Sequence, residues 1–389
     1  MTSARQSTLR ATNLGLVART VCAAALPPSR ADVAAATSMT RATASRLVDE
    51  LVAGGVLAET EPAAAGRGRP ATPLVPGARF AALGLQVNAG FLAVRVLDLR
   101  GHVVGEALEQ DDFVGSDPAS TLARLGRLCR EVLDGLPREV TLTGAGLALP
   151  GLVATETGLL LRAPNLGWSD VRPEPLLRGA VPEGLGLHVD NEASLAAHTV
   201  AETAPGRPGA FPDFIYLSGE IGIGGAAVLG GRVMAGRHGW AGEIGHVTVD
   251  PAGPECRCGS TGCLETYAGR DALLAVAGLA HPAELAARAA AGDERALAAV
   301  ATGARALGVA LAGVVNVLDI PTVVLGGHLA HLADLLRDDL EEQLRTRVLS
   351  ARWTPPKIEA AQAIPAPGAT GAAFRELAGL LADPARWLG

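Results

Sequence analysis

Glu243-Ile244-Gly245-His246, followed after nine residues by Cys256-Arg257-Cys258-Gly259-Ser260-Thr261-Gly262-Cys263-Leu264-Glu265, decides how this 389-residue chain reads. One imidazole and three thiols are the soft donor set of a closed tetrahedral Zn²⁺ site. The C-x-C-x4-C spacing, with glycines at 259 and 262, lets the loop fold back on a metal. Three free core thiols are the plainer alternative, but a polar, glycine-rich loop offers little core to bury them in. His246, Cys256, Cys258 and Cys263 fill all four positions, so the site reads as structural Zn²⁺ with no open place for a hydrolytic water. Three of the five cysteines lie within eight residues. That grouping suggests a metal in a reducing compartment rather than disulfides, and so a cytoplasmic protein.

Outward from this loop, strands alternate with helices. Strands are expected at Leu83–Val87, Ala93–Asp98, after the Arg100-Gly101 turn, and at Leu142–Ala148, Gly186–Val189, Phe214–Ser218 and Thr322–Leu325. Helices are expected at Ala119–Leu136, Ala193–Ala201, Pro282–Ala291 and Glu294–Val317. Such alternation implies α/β layers, and the repeat families with periods of roughly 20–50 residues are not evident. The longest apolar run, Ala306–Leu318, is broken by Asn316 and falls short of the roughly 20 residues a bilayer requires. No membrane segment is expected.

The N-terminal part has a different character. Net charge is −7, yet residues 1–80 carry nine arginines against five acids, a net +4 that leaves −11 on the rest. A basic head on an acidic body fits a polyanion partner for the head alone. Ser29 with Asp32 starts a short helix that runs to about Thr37; Ser38 and Met39 turn; Thr40 caps a second helix. Ala44, Leu47, Val48 and Leu51 form its buried stripe. Thr40, Arg41, Thr43, Ser45 and Arg46 lie near its start, where a recognition helix meets base edges in the major groove. A helix around Asn13–Ala25 would complete a three-helix unit. Strands near Val56–Glu59 and Thr72–Val75 flank Gly66-Arg67-Gly68-Arg69-Pro70, which describes a wing whose Arg67 and Arg69 touch phosphates or a narrow minor groove. An interdomain hinge is the blander reading of that tip.

These segments together resemble the ROK family (repressors, open reading frames and sugar kinases) of the actin/hexokinase-like superfamily, in its repressor arrangement. The resemblance rests on Ser29–Leu51, Gly66–Pro70, Asp190-Asn191-Glu192, Ser218–Gly225, Glu243–His246, Cys256–Glu265 and Val324–Gly327. It implies a winged helix-turn-helix (α+β) at residues 1–76, then an α/β ribonuclease H-like, two-lobed domain with a structural zinc loop at 77–389. Lobe one would span about 82–192 plus a C-terminal helix at 370–389, and lobe two about 193–369. The resemblance further implies that Asn191, Glu192, Glu243, His246 and Glu265 contact sugar hydroxyls, with His246 also on zinc. Carboxylates suit that task, since they accept from vicinal hydroxyls; solvated surface acids are the bland alternative. Asn165 is a weaker candidate that also reads as a turn residue.

Family kinases carry Asp-x-Gly-Gly-Thr after the first strand; here Gln86-Val87-Asn88-Ala89-Gly90 stands in its place. Ser218-Gly219-Glu220-Ile221-Gly222 puts a carboxylate where phosphate would lie, and Glu192 holds the catalytic aspartate position. The expectation is therefore a non-enzymatic, sugar-responsive repressor that binds a palindromic operator as a homodimer or homotetramer. Two other readings are a bifunctional sugar kinase with a DNA-binding head and a DNA-binding protein whose body only dimerises.

Overall fold

The structure, a computed structural model, describes residues 2–61 and 72–388. It begins with α1 (Thr2–Ala23), α2 (Arg30–Ala36) and α3 (Arg41–Ala53), followed by β1 (Leu57–Glu59) and β2 (Leu74–Pro76), which pair antiparallel with Leu57 opposite Pro76. Helix α2 starts at a capping box: Asp32 N donates to Ser29 Oγ at 3.3 Å, and Ser29 N donates to Asp32 Oδ2 at 2.9 Å. Ser38 turns the chain at φ 56°. Thr43 N then donates to Thr40 Oγ1 at 3.2 Å, which opens α3. Ala44, Leu47, Val48 and Leu51 are buried as the spacing requires. Helix α1 begins well before the expected Asn13, because residues 2–11 contain no glycine or proline to stop it.

Next come β3 (Phe80–Val87), β4 (Phe91–Asp98), β5 (Val103–Gln110), α4 (Pro118–Asp134), β6 (Thr141–Leu149), β7 (Leu152–Ala154), β8 (Leu159–Ala163), β9 (Trp168–Val171), α5 (Pro173–Leu176), β10 (Leu187–Asn191) and α6 (Glu192–Ala201). The main sheet has the order β10-β6-β3-β4-β5. Strands β3, β4 and β5 form an antiparallel meander, to which β6 and then β10 add in parallel. Every residue of β3 is buried. Phe80 and Ala82 face one core while Ala81, Leu83 and Leu85 face another.

The chain continues through a small hairpin, β11 (Glu202–Ala204) and β12 (Arg207–Pro208), to β13 (Phe214–Gly219), β14 (Ile223–Leu229) and β15 (Arg232–Val233). After the cysteine loop follow α7 (Glu265–Ala268), α8 (Arg270–Ala277), α9 (Pro282–Ala290), α10 (Glu294–Leu318), β16 (Thr322–Gly327), α11 (His328–Arg347), β17 (Lys357–Ala360) and α12 (Pro367–Ala382). The second sheet, β15-β14-β13-β16-β17, is again a meander extended by two parallel strands. The two lobes thus share one topology, a duplication no residue pattern announces. By length and apolarity α10 would pass for a membrane span, but most of that window is buried in the lobe-two core, where Leu307 and Leu311 pack with Leu336 and Leu340.

A third core joins the ends of the chain. Leu14, Val17 and Val21 of α1, Leu47 and Leu51 of α3, Phe80 and Leu97 of the first sheet, and Phe374, Leu377 and Leu381 of α12 are buried together. The N-terminal helices therefore sit directly on the sheet and helix that carry half of the cleft described next.

Candidate sugar cleft and metal centre

The cysteine loop is shaped by backbone bonds: Thr248 bridges Cys263, Glu255 bridges Thr261, and Cys256 N donates to Ser260 O at 2.8 Å. Gly262 has φ 63°, and a Cβ there would lie 1.6 Å from the Asp250 carbonyl oxygen, so only glycine closes the loop. Cys258 and Cys263 sulfurs are 3.7 Å apart, and Cys256 Sγ is 3.8 Å from His246 Nδ1. All four donor atoms lie within 4.8 Å of one another. A tetrahedron built on Zn–S bonds of about 2.3 Å has edges of roughly 3.8 Å. The set fits a four-coordinate soft cation, with Nδ1 as the imidazole donor.

The same loop positions the lobe-two half of the cleft. Glu243 precedes the one-turn 3-10 helix Ile244–His246, and Glu265 opens α7. His246 Nε2 lies 3.7 Å from Glu243 Oε2, and its Nδ1 lies 3.6 Å from Glu265 Oε1. The Cys256 thiol donates to Glu265 Oε1 at 2.9 Å. Gly222 permits the close approach: a Cβ there would lie 2.3 Å from Glu265 Oε2 and 2.7 Å from Asn165 Nδ2.

Lobe one contributes the other half. Glu192 begins α6, at the positive end of the helix dipole. It accepts from Asn88 Nδ2 at 3.0 Å and from Gln86 Nε2 at 3.3 Å. Burial raises both Glu192 and Glu243 above the ordinary carboxylate range. Asn165 Oδ1 accepts from Arg257 at 3.3 Å. The carboxamide of Asn191 is already engaged: it accepts from Ala193 N at 2.8 Å and Ser194 N at 3.1 Å, and donates to Gly151 O at 3.0 Å. Its hydrogen bonds cap α6, which leaves its neighbours to face a ligand.

Asn165, Asn191, Glu192, Glu243, His246 and Glu265 all line this one cleft. Sequence reasoning missed Asn88, which lines the cleft, and Gln86, which bonds Glu192 without lining it. They stood out only as replacements in a lost phosphate turn, yet amide side chains at those positions are the donors a buried carboxylate needs. The cleft encloses about 50 Å³, room for little more than a water or two.

On its far wall stands Glu220, whose carbonyl accepts from Arg270 N at 3.2 Å. A Cβ built on Gly327 would lie 2.9 Å from Glu220 Oε1, so this carboxylate covers the Gly326-Gly327 turn. Burial, reinforced by the negative charge of Glu192, pushes it up to about 7.

The candidate DNA contacts lie apart, at the start of α3. Arg41 is exposed and, among the described residues, has no side-chain partner. Thr40 and Thr43 bond each other at 2.9 Å, and Arg46 pairs with Glu50 at 2.6 Å. Ser45 is half-buried, its carbonyl accepting from Arg30 at 3.1 Å. Arg67 and Arg69 lie outside the described residues.

A family model described as "ROK family" matches residues 102–376. The chain is similar to the xylose repressor of Caldicellulosiruptor bescii, 28% identical over 353 residues, which span 85% of this chain and 87% of that protein. It is likewise similar to the DNA-binding transcriptional repressor Mlc of Escherichia coli K12, at 27% identity over 371 residues, 91% of this chain and 90% of that one. Among solved structures, a ROK family transcriptional regulator described as a homologue of the E. coli Mlc protein superposes with a TM-score of 0.78 at 25% identity, covering 98% of this chain and 99% of its own.

Proposed function

This chain belongs to the ROK family, and from that premise we propose that it is a cytoplasmic, sugar-responsive transcriptional repressor whose ROK domain binds a monosaccharide or derivative and catalyses nothing. The observation that carries this reading is the convergence of Glu192, Glu243, His246 and Glu265 on one cleft. Carboxylates accept from vicinal hydroxyls, an imidazole held on a metal through Nδ1 donates its Nε2–H to a hydroxyl oxygen, and such a site rejects ligands that leave those groups unpaired. Asn165 lies at the rim of the same set. His246, Cys256, Cys258 and Cys263 would hold a structural Zn²⁺, which fixes the tautomer and aim of the imidazole so that Nε2 faces the ligand.

Two features support a binding site over a phosphoryl-transfer site. The acid at the base position, Glu192, is bonded to Asn88 and Gln86 of the very turn that should cradle phosphate. The Glu220 carboxylate covers the second glycine turn, an unfavourable neighbour for a polyphosphate.

We divide the chain into a winged helix-turn-helix at 1–76 and the ROK domain at 77–389. Helix α3 would enter the major groove with Thr40, Arg41, Thr43, Ser45 and Arg46 at its leading end, and Arg67 and Arg69 would form the wing. A homodimer or homotetramer would match a palindromic operator. Because the cleft encloses only about 50 Å³, a sugar must part the Glu192 side from the Glu243–Glu265 side. That displacement is the differential between liganded and free states that a repressor needs. The test is fluorescence anisotropy on the promoter duplex upstream of its own gene, with a panel of pentoses, hexoses and N-acetylated hexoses. At least one should weaken operator binding tenfold or more, with no phosphate released from ATP. Sugar-dependent ATP turnover, or a head indifferent to duplex DNA, overturns the reading.

A further inference from the structure

A second cavity, of about 780 Å³, opens between α6, the β11–β12 hairpin, the turn joining β14 to β15, and α12. It shares the β10–α6 junction with the cleft: Asp190 lines the cavity, while the next two residues, Asn191 and Glu192, line the cleft. Its volume lies within the roughly 300–1,000 Å³ typical of small-molecule pockets, whereas the cleft encloses about 50 Å³. We propose that this cavity is a second ligand site, built for a polyhydroxylated ring such as a monosaccharide or a cyclitol.

The lining has the chemistry for it. Ser194 and His198 stand one turn apart on α6 and both face the cavity. Among the described residues neither side chain has a hydrogen-bond partner, although Ser194 is 8% exposed. Burial, aided by Arg375, lowers His198 to about 4, so its ring is neutral at physiological pH and offers one donor and one acceptor. Asp190 accepts from Arg375 at 3.0 Å, and Glu202 accepts from Gly206 N at 2.8 Å. Asn191 N also donates to Asp190, at 2.8 Å, and burial raises both carboxylates. Two carboxylates, a hydroxyl, a neutral imidazole and the Arg232 and Arg375 guanidinium groups line the cavity, a mixed set of donors and acceptors that ring hydroxyls would satisfy. Phe211 and Val233 supply the apolar wall that the C–H face of a ring requires.

The position gives such a ligand a purpose. Gly206, at the tip of the hairpin, packs so closely on the head and on α12 that a Cβ there would lie 2.7 Å from Leu381 and 3.2 Å from Cys22 of α1. An occupant would touch the junction that carries Glu192 and the hairpin that rests on α1. The proposal stands independently of what the cleft binds.

Saturation-transfer NMR on the full-length, zinc-loaded protein tests it, with D-glucose, D-xylose, N-acetyl-D-glucosamine and myo-inositol as probes at millimolar concentration. The background is the cleft-impaired double variant Glu243→Ala, Glu265→Ala. At least one probe should still show transfer, and adding Ala378→Trp, an exposed position on the cavity wall, should abolish it with an unchanged melting temperature. His198→Phe, which removes the unpartnered ring nitrogens, should do the same and serves if the tryptophan variant misfolds. No transfer from any probe in the double variant, or transfer that survives both blocks, overturns the proposal. A failure of the cleft reading shows separately, as identical signals from the wild type and the double variant.

Discussion

At Glu220 a carboxylate is held in low dielectric beside Glu192, and the consequence is measurable as stability. Its folded value of about 7 lies above the ordinary 4.5, so the folded state keeps a proton that the unfolded chain releases. The stabilisation is full below about pH 4.5 and is lost as pH rises through about 7, a swing on the order of 3 kcal/mol at 1.36 kcal/mol per unit. Glu220→Gln should flatten that part of the pH–stability curve and gain about that much over wild type at pH 8 in urea unfolding. Equal slopes for the two proteins would show that the carboxylate is already solvated. Cys258 makes the complementary case. Its sulfur is one edge of the tetrahedral set, 3.7 Å from Cys263. Cys258→Ser should release the metal, read by atomic absorption, and abolish any sugar response; retained stoichiometric zinc would mean that the ligands are misassigned.

At the scale of elements, α3 separates into a packing stripe and a recognition edge. Leu47 is 1% exposed in the core shared with α1 and α12; Leu47→Ala should cost about 2–5 kcal/mol of stability, read by chemical denaturation. Arg41 is exposed and has no side-chain partner among the described residues, so Arg41→Ala should leave stability unchanged and cost on the order of 1–3 kcal/mol of operator affinity, with preference relaxed at one base pair. Uniform weakening on all duplexes would make it a phosphate contact. This division was legible from sequence because caps and a 3.6-residue period are local signals: Ser29, Asp32 and Thr40 stand where the helices start. The cysteine loop was legible for the same reason, since its donors are near neighbours in the chain. Helix α11 carries a comparable stripe, Leu329, Leu332, Leu336 and Leu340, but it follows directly on a Gly326-Gly327 turn with no side-chain cap to mark its start. What sequence could not reveal is non-local. The pairing of Glu192 with Asn88 joins residues 104 apart, and burial of β3 on both faces erases the alternation that would assign each side chain to a core.

For the whole molecule, the question is how an event at Glu192 reaches the head, and one side chain bridges the gap. Gln86 donates to Glu192 Oε2 at 3.3 Å and accepts from Ala369 N, in the first turn of α12, at 3.0 Å. Helix α12 is seated at near-backbone distance on both neighbours. A Cβ on Gly371 would lie 1.7 Å from Leu195 O of α6, and one on Gly84 of β3 would lie 1.8 Å from Ala369 O. With so little room to slide, α12 moves as a rod with whatever displaces its first turn. Its far half, Phe374, Leu377 and Leu381, is buried against Leu14, Val17 and Val21 of α1. A sugar hydroxyl that competes for Glu192 would release the Gln86 amide and, through it, the cap of α12. The expected coupling is of the usual allosteric size, about 1–3 kcal/mol. Gln86→Leu keeps the volume but removes both bonds. It should bind the operator within a few-fold of wild type when sugar-free, yet lose most of the sugar-induced change in operator affinity. The reciprocal must hold as well: in this variant operator DNA should no longer alter sugar affinity. Anisotropy titrations with and without sugar measure the first quantity, and calorimetry with and without DNA measures the second. If both couplings survive intact, the signal travels by the lobe-two side of the cleft, and α12 is a strut that the switch does not use.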